Sequence, residues 1–314
     1  MAAYLHGFGA HLPARVVTNA ELAARLGCTP EWIESVSGIR ERRWAAPETS
    51  VADLALEAAE DCLSRTDVAV ASLGMIILAS GSGSRGFPGP AAEVAARLGL
   101  SSTPALDLPI ASAGSLFGLA LAMRLAESHG DILVIGAEKM SAVIAAGPLD
   151  PNTAILFGDG AGAALVSTRA GKWRLLDAAI HSDGQFREDL RWDPSRQEGA
   201  PALAMNGLSV ILQASRKIPA SISEVLARQE VAAGNVKAFL LHQANRNLLT
   251  RVAKALGVGA EKVFTNVDRY GNTSSASMLI AAAEWSAGET EAGPIVFAAF
   301  GAGFHWGAVL ADEA

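Results

Sequence analysis

Apolar residues in this chain gather into short runs that alternate with longer stretches of helical period. In the first half the run LGMIILAS (73–80) precedes a helical stretch, PAAEVAARLGL (90–100). A second run, PALDLPI (104–110), leads into a helix that begins after Ser112, and DILVIGAE (131–138) follows. The second half repeats the order: VKAFLLHQAN (236–245), the helix RNLLTRVAKALGV (246–258), EKVFTNV (261–267), a helix after YGNTSSAS, and GPIVFAAFGAGF (293–304). Short β-rich runs alternating with helices predict buried strands in a layered α/β architecture. The repeated order predicts an internal duplication, with halves at 1–168 and 169–314.

Two of the predicted helices are unusual in being apolar on nearly every side: SLFGLALAMRLA after Ser112, and SASMLIAAAEW near Ser274. Such helices belong in the interior, enclosed by sheets on both faces. A pseudo-twofold relation would bring their N-termini together, and each would offer unpaired backbone N–H groups and the positive end of a helix dipole. A site between them suits a developing anion.

Composition narrows the class. The chain has 314 residues, half of them hydrophobic, 18% charged, and a formal net charge of −7. A field of that sign argues against nucleic acid or an acidic membrane as a general partner. Two cysteines, Cys28 and Cys62, make no disulfide framework. No stretch has the roughly 18 uncharged apolar residues of a membrane span, and the N-terminal segment reads as mature strand and turn, so a soluble, cytoplasmic protein is expected. The six histidines are dispersed and no metal cluster is predicted. The glycine runs GDGAGAA and FGAGFHWG lack the lysine and spacing of a phosphate loop.

Three residues could carry chemistry. Ser112, in PIASAGSLF, sits at a strand-to-helix turn, where serine is either a cap or a nucleophile. A hydroxyl nucleophile needs a base. His242 follows four apolar residues at a strand end and is joined by Gln243 and Asn245; Asn272 lies in the turn before the second apolar helix. Strand ends are where open α/β sheets place their sites.

Together with WIESVSGIRERRW, ILFGDGAGAALV, LHQANRNLL, DRYGNTSSAS and FGAGFHWGAVL, in that order along nearly the whole chain, these residues resemble the thiolase superfamily, and within it the β-ketoacyl-acyl-carrier-protein synthase III family. The resemblance implies a duplicated, five-layered α-β-α-β-α fold, a homodimer, and acyl transfer from a thioester with no bound cofactor. It assigns the nucleophile to Ser112, where the family has cysteine, and the carbonyl-binding pair to His242 and Asn272. Trp32 matches a residue of the coenzyme A pocket, but Val36 and the segment DPNTA stand where the family's arginines are expected. Phe87 matches a residue that crosses the dimer, and Phe304, beside Gly303, one near the nucleophile.

Serine is several units less acidic than a thiol, and a helix dipole contributes about 1 kcal/mol or less. His242 would have to act as general base. Three outcomes stay open: an oxygen-ester acyl intermediate in fatty-acid or polyketide-type synthesis, a non-catalytic subunit that binds acyl thioesters, or an engineered cysteine-to-serine form. The missing arginines favour a carrier-protein donor. An acidic carrier would want a basic patch, and Arg246, Arg251 and Lys254 on the 246–258 helix could supply it, with Arg246 and Lys254 about 80° apart around the axis.

Overall fold

A computed structural model describes residues 2–85, 87–193, 203–288 and 292–314. Its strands are β1 (Ala3–His11), β2 (Val16–Thr18), β3 (Glu41–Arg43), β4 (Leu73–Ala79), β5 (Ala105–Leu108), β6 (Asp131–Lys139), β7 (Asp159–Ser167), β8 (Trp173–Ser182), β9 (Leu190–Trp192), β10 (Leu203–Met205), β11 (Ala238–Leu241), β12 (Ile295–Gly301) and β13 (His305–Glu313). Nine of them form one hydrogen-bonded run in the order β11-β12-β13-β8-β1-β7-β6-β4-β5. β2 with β3, and β9 with β10, make two small accessory ladders.

The duplication is visible in the strand order. Numbered within its own half, β5-β4-β6-β7-β1 runs 3-2-4-5-1. In the second half β11-β12-β13-β8 runs 2-4-5-1, and the place of strand 3 is taken by a single parallel bridge between Phe239 and Val263. Orientations match as well: strand 2 is parallel to 4, and 4-5 and 5-1 are antiparallel in both halves. The two first strands join the halves, with Ala3 opposite Leu175 and Leu5 opposite Trp173.

The predicted strand at 261–267 is therefore corrected to a turn at Ala260–Lys262, one bridge, and a short helix at Val267–Tyr270. The cause is a side chain: Gln243 Oε1 accepts the Asn266 N–H at 3.0 Å and Gln243 Nε2 donates to the Phe264 carbonyl at 3.0 Å. These bonds take the backbone groups a ladder would have used.

The two apolar helices lie where their pattern demands. The first central helix, Gly114–His129, touches β4 and β6 of one half and β8, β12 and β13 of the other; the second, Ser277–Ser286, touches β1 and β7 as well as β11 and β12. Outside, the helices Val51–Ser64 and Pro90–Arg97 cover the first half, while Gly207–Arg228 and Arg246–Leu256 cover the second. That makes five layers. β6 and β7 are buried at nearly every position, so their continuous apolar runs need no alternation. Local caps set the outer helices: Ser50 and Asp53 form a reciprocal capping box, and Thr29 caps the helix Pro30–Ser37. Among the described residues no helix is long and apolar enough to cross a membrane.

Candidate active site

Ser112 is not a cap. The residue preceding the first central helix is Ala113, and the helix start has no side-chain cap. Ser112 instead takes φ +63°, a left-handed backbone that costs a non-glycine residue about 1–2 kcal/mol and needs surrounding structure to hold it. What holds it comes from the other half: the Ser112 N–H donates to Ser274 Oγ at 2.9 Å. Ser274 has φ +48° itself. Gly301, at the end of β12, closes the other side; a Cβ there would collide with the Ala111 carbonyl oxygen.

The segment 272–277 gathers the three candidate residues. Asn272 Oδ1 accepts the Ser274 N–H at 2.8 Å, Ser274 holds Ser112, and Ser277 Oγ lies 2.6 Å from His242 Nδ1. Ser277 Oγ also accepts the Gln243 N–H at 3.0 Å. Beneath this segment Glu138, fully buried, accepts hydrogen bonds from Ser82 Oγ at 2.5 Å, Ser275 Oγ at 2.7 Å, Ser274 Oγ at 2.9 Å and the Gly81 N–H at 3.1 Å. One carboxylate thus ties a loop of the first half to the helix start of the second.

Burial pushes the His242 imidazole down from 6.5 to about 4, with the Ser274 backbone opposing. The ring is neutral near pH 7, with Nδ1 engaged by Ser277. Among the described residues the Ser112 hydroxyl has no hydrogen-bond partner. The site can therefore offer a strained hydroxyl at a helix start and neutral polar groups, with the base role of His242 weakened by its low basicity.

Ser112 opens on a small cavity of about 50 Å³, walled among the described residues by Met140, Val143, Phe157, Leu190, Arg191, Trp192 and Leu203. Several predicted site residues lie elsewhere. Phe304 is fully buried in the core of the second half, stacked on Phe186 at 5.2 Å and tilted against Phe300 at 4.7 Å, and is not among the cavity walls. Gly303 (φ +135°) makes the turn before it, where a Cβ would collide with the His305 ring. Asn245 caps the helix Arg246–Leu256 through Oδ1 and donates from Nδ2 to the Val36 carbonyl at 2.9 Å, so both ends of its amide are engaged in structure.

Trp32 is 37% exposed and Phe87 92% exposed. Arg246 lies 3.7 Å from Asp268, which also pairs with Arg40; Arg251 and Lys254 are exposed on the same helix. Sequence reasoning passed over Glu138, Ser274 and Ser277. The signals were present: an acidic residue near the end of a strand with an apolar interior, and serines inside the GNTSSAS turn.

Comparison with known proteins places the chain in a family. The profile of 3-oxoacyl-[acyl-carrier-protein (ACP)] synthase III matches residues 106–184, and that of its C-terminal part matches residues 226–312. The β-ketoacyl-[acyl-carrier-protein] synthase III of Pectobacterium atrosepticum is 36% identical over 311 residues, 97% of each chain. The crystal structure of 3-oxoacyl-[acyl-carrier-protein] synthase III from Aquifex aeolicus superposes with a TM-score of 0.92 at 34% identity, covering 99% of this chain and all of that one. The priming β-ketosynthase of the R1128 polyketide pathway superposes at 0.89 with 30% identity, covering 99% and 96%. By sequence and by fold, this chain belongs to the β-ketoacyl-[acyl-carrier-protein] synthase III family of the thiolase superfamily.

Proposed function

We propose that the chain is a synthase III-type condensing enzyme in which Ser112 is the acyl acceptor. The Ser112 oxygen attacks the thioester carbonyl, the carbon–sulfur bond breaks, the thiol leaves with the serine proton, and an oxygen ester remains. A malonyl-type thioester then loses carbon dioxide; its enolate carbon attacks the ester carbonyl, the bond from that carbon to the Ser112 oxygen breaks, and the serine oxygen takes up a proton from solvent. The half at 1–168 supplies the nucleophile, and the half at 169–314 supplies His242 and Asn272. His242 takes the serine proton in the first step and, with Asn272, donates to the carbonyl oxygen in the second.

One observation carries the reading: Ser112 is held at φ +63° beside an apolar cavity, with no capping role to account for it. The preferred donor is an acyl carrier protein. Val36 and Pro151 offer no guanidinium to a nucleotide phosphate, while Arg251 and Lys254 present exposed positive charge. A homodimer fits the open edge of β5, where Leu106 is 41% exposed, and the exposed Phe87.

A second reading, an acyl-thioester-binding subunit without turnover, is favoured by the low basicity of His242 and the unpartnered Ser112 hydroxyl. Intact-mass measurement after incubation with acyl-coenzyme A and acyl-carrier-protein thioesters separates the two. An adduct present in the chain and absent from Ser112→Ala supports the first. Ligand-dependent thermal stabilisation without any adduct supports the second.

A further inference from the structure

β6 is apolar from Ile132 to Ala137 and then buries a carboxylate, Glu138. A carboxylate kept from water is costly unless a cation or hydrogen bonds compensate it. The next residue, Lys139, supplies no cation, because its ammonium group donates to the Ala46, Pro47 and Thr49 carbonyls. Hydroxyls do the compensating, among them those of Ser274 at 2.9 Å and Ser275 at 2.7 Å. Gly136, two residues earlier and on the same face of the strand, makes the room: a Cβ there would lie 2.2 Å from the Ser275 carbonyl oxygen. β6 is thus shaped to receive the segment 272–277. Packed hydrocarbon would join the two halves at less cost than a buried ion, so adhesion alone does not account for Glu138.

What hydrocarbon cannot do is aim a hydroxyl. An ionised carboxylate only accepts, so the Ser274 proton is committed to Glu138 Oε1 and a lone pair of the same oxygen is left for the Ser112 N–H, 2.9 Å away. Both serines stand at positive φ, +63° and +48°, a conformation that persists only where surrounding contacts impose it. Resting on the acyl-accepting role proposed above, we infer that Ser274, aimed by Glu138, is a positioning residue for acyl transfer: it holds the Ser112 main chain in the conformation that keeps the Ser112 side chain on the cavity at the start of the first central helix. Asn272 is held separately, by the Ser274 backbone N–H at 2.8 Å. Removing the Ser274 hydroxyl therefore acts on Ser112 and spares Asn272.

The test compares the unaltered chain with Ser274→Ala, Glu138→Gln and, as a control for stability alone, Ser50→Ala, which removes the cap of the outer helix Val51–Ser64. Rapid-quench intact mass follows acylation of Ser112 by carrier-protein and coenzyme A thioesters over a range of concentrations. Ser274→Ala is expected to lower the maximal rate about tenfold or more while KM stays within about twofold. Glu138→Gln should move the rate in the same direction, and carries the comparison if Ser274→Ala does not fold; Ser50→Ala should leave both constants unchanged. A second readout does not require serine to react. In Ser112→Cys, adding Ser274→Ala should slow alkylation by iodoacetamide about threefold at pH 7, because a thiol released from the helix start ionises less readily, and the two rates should converge near pH 10. An unchanged maximal rate with unchanged alkylation, or an equal loss in Ser50→Ala, overturns the inference and leaves the role of Ser112 standing. No acylation of the unaltered chain by any donor, with alkylation still dependent on Ser274, overturns the acyl-accepting role and supports the positioning.

Discussion

Ser274 Oγ accepts the Ser112 N–H at 2.9 Å and gives its own proton to Glu138 Oε1 at 2.9 Å. The hydroxyl is oriented by the carboxylate, and the backbone of the proposed nucleophile is oriented by the hydroxyl. Glu138→Ala leaves several buried donors unmatched and is expected to lower unfolding stability by about 3 kcal/mol. Glu138→Gln keeps the volume but turns an amide N–H₂ toward donors, costing about 1–2 kcal/mol. Urea denaturation gives the two values; equal stability of all three chains would show that the carboxylate does not set this junction.

Ser112→Cys places a far more acidic group at the start of the first central helix, where the dipole favours the anion. Labelling by acyl thioesters should accelerate by at least about 100-fold, since the thiolate needs no base while the hydroxyl does. Rapid-quench mass spectrometry reads the rate. Equal rates in the two chains would mean that serine is fully activated and that His242 serves as an effective base.

His242 titrates at about 4 in the folded chain against 6.5 ordinarily, because burial disfavours its charged form. The unfolded chain therefore takes up a proton first as pH falls. The contribution is complete above pH 6.5, is lost as pH drops from about 6.5 to about 4, and totals about 3 kcal/mol. Urea midpoints collected between pH 7.5 and 4 should fall more steeply for the unaltered chain than for His242→Asn, which has nothing to titrate there. Parallel curves would place the imidazole in contact with water.

Leu106 is an exposed apolar residue on the edge strand β5. If that edge meets a second copy, Leu106→Arg adds a charge to the contact and should shift the mass measured by light scattering toward a single chain at micromolar concentration. An unchanged mass would move the contact to another face.

The patterning of apolar residues was enough to predict the layered duplication, because two helices with no polar face can only be interior. It failed at 261–267, where β-rich residues are held by Gln243 instead of a neighbouring strand. Ser112, His242 and Asn272 stand in motifs that the structure links through the turn 272–277. Asn245 and Phe304, inside site motifs, are engaged in building the scaffold, one as a cap and the other as core. Trp192 carried no local signal at all. It enters the cavity wall only through the fold, which joins Met140, Phe157 and Leu203 from distant stretches of chain.

The two halves share a strand order but not a boundary. In the first, the third strand is a real ladder at β5 with one side open; in the second, it has shrunk to a single bridge at Val263, backed by the Ala260–Lys262 turn. A sheet open at both ends can add copies without limit and grow into filaments. With the β11 end backed by that bridge and turn, β5 is the open edge among the described strands, and a second copy added there would leave no open edge for a third.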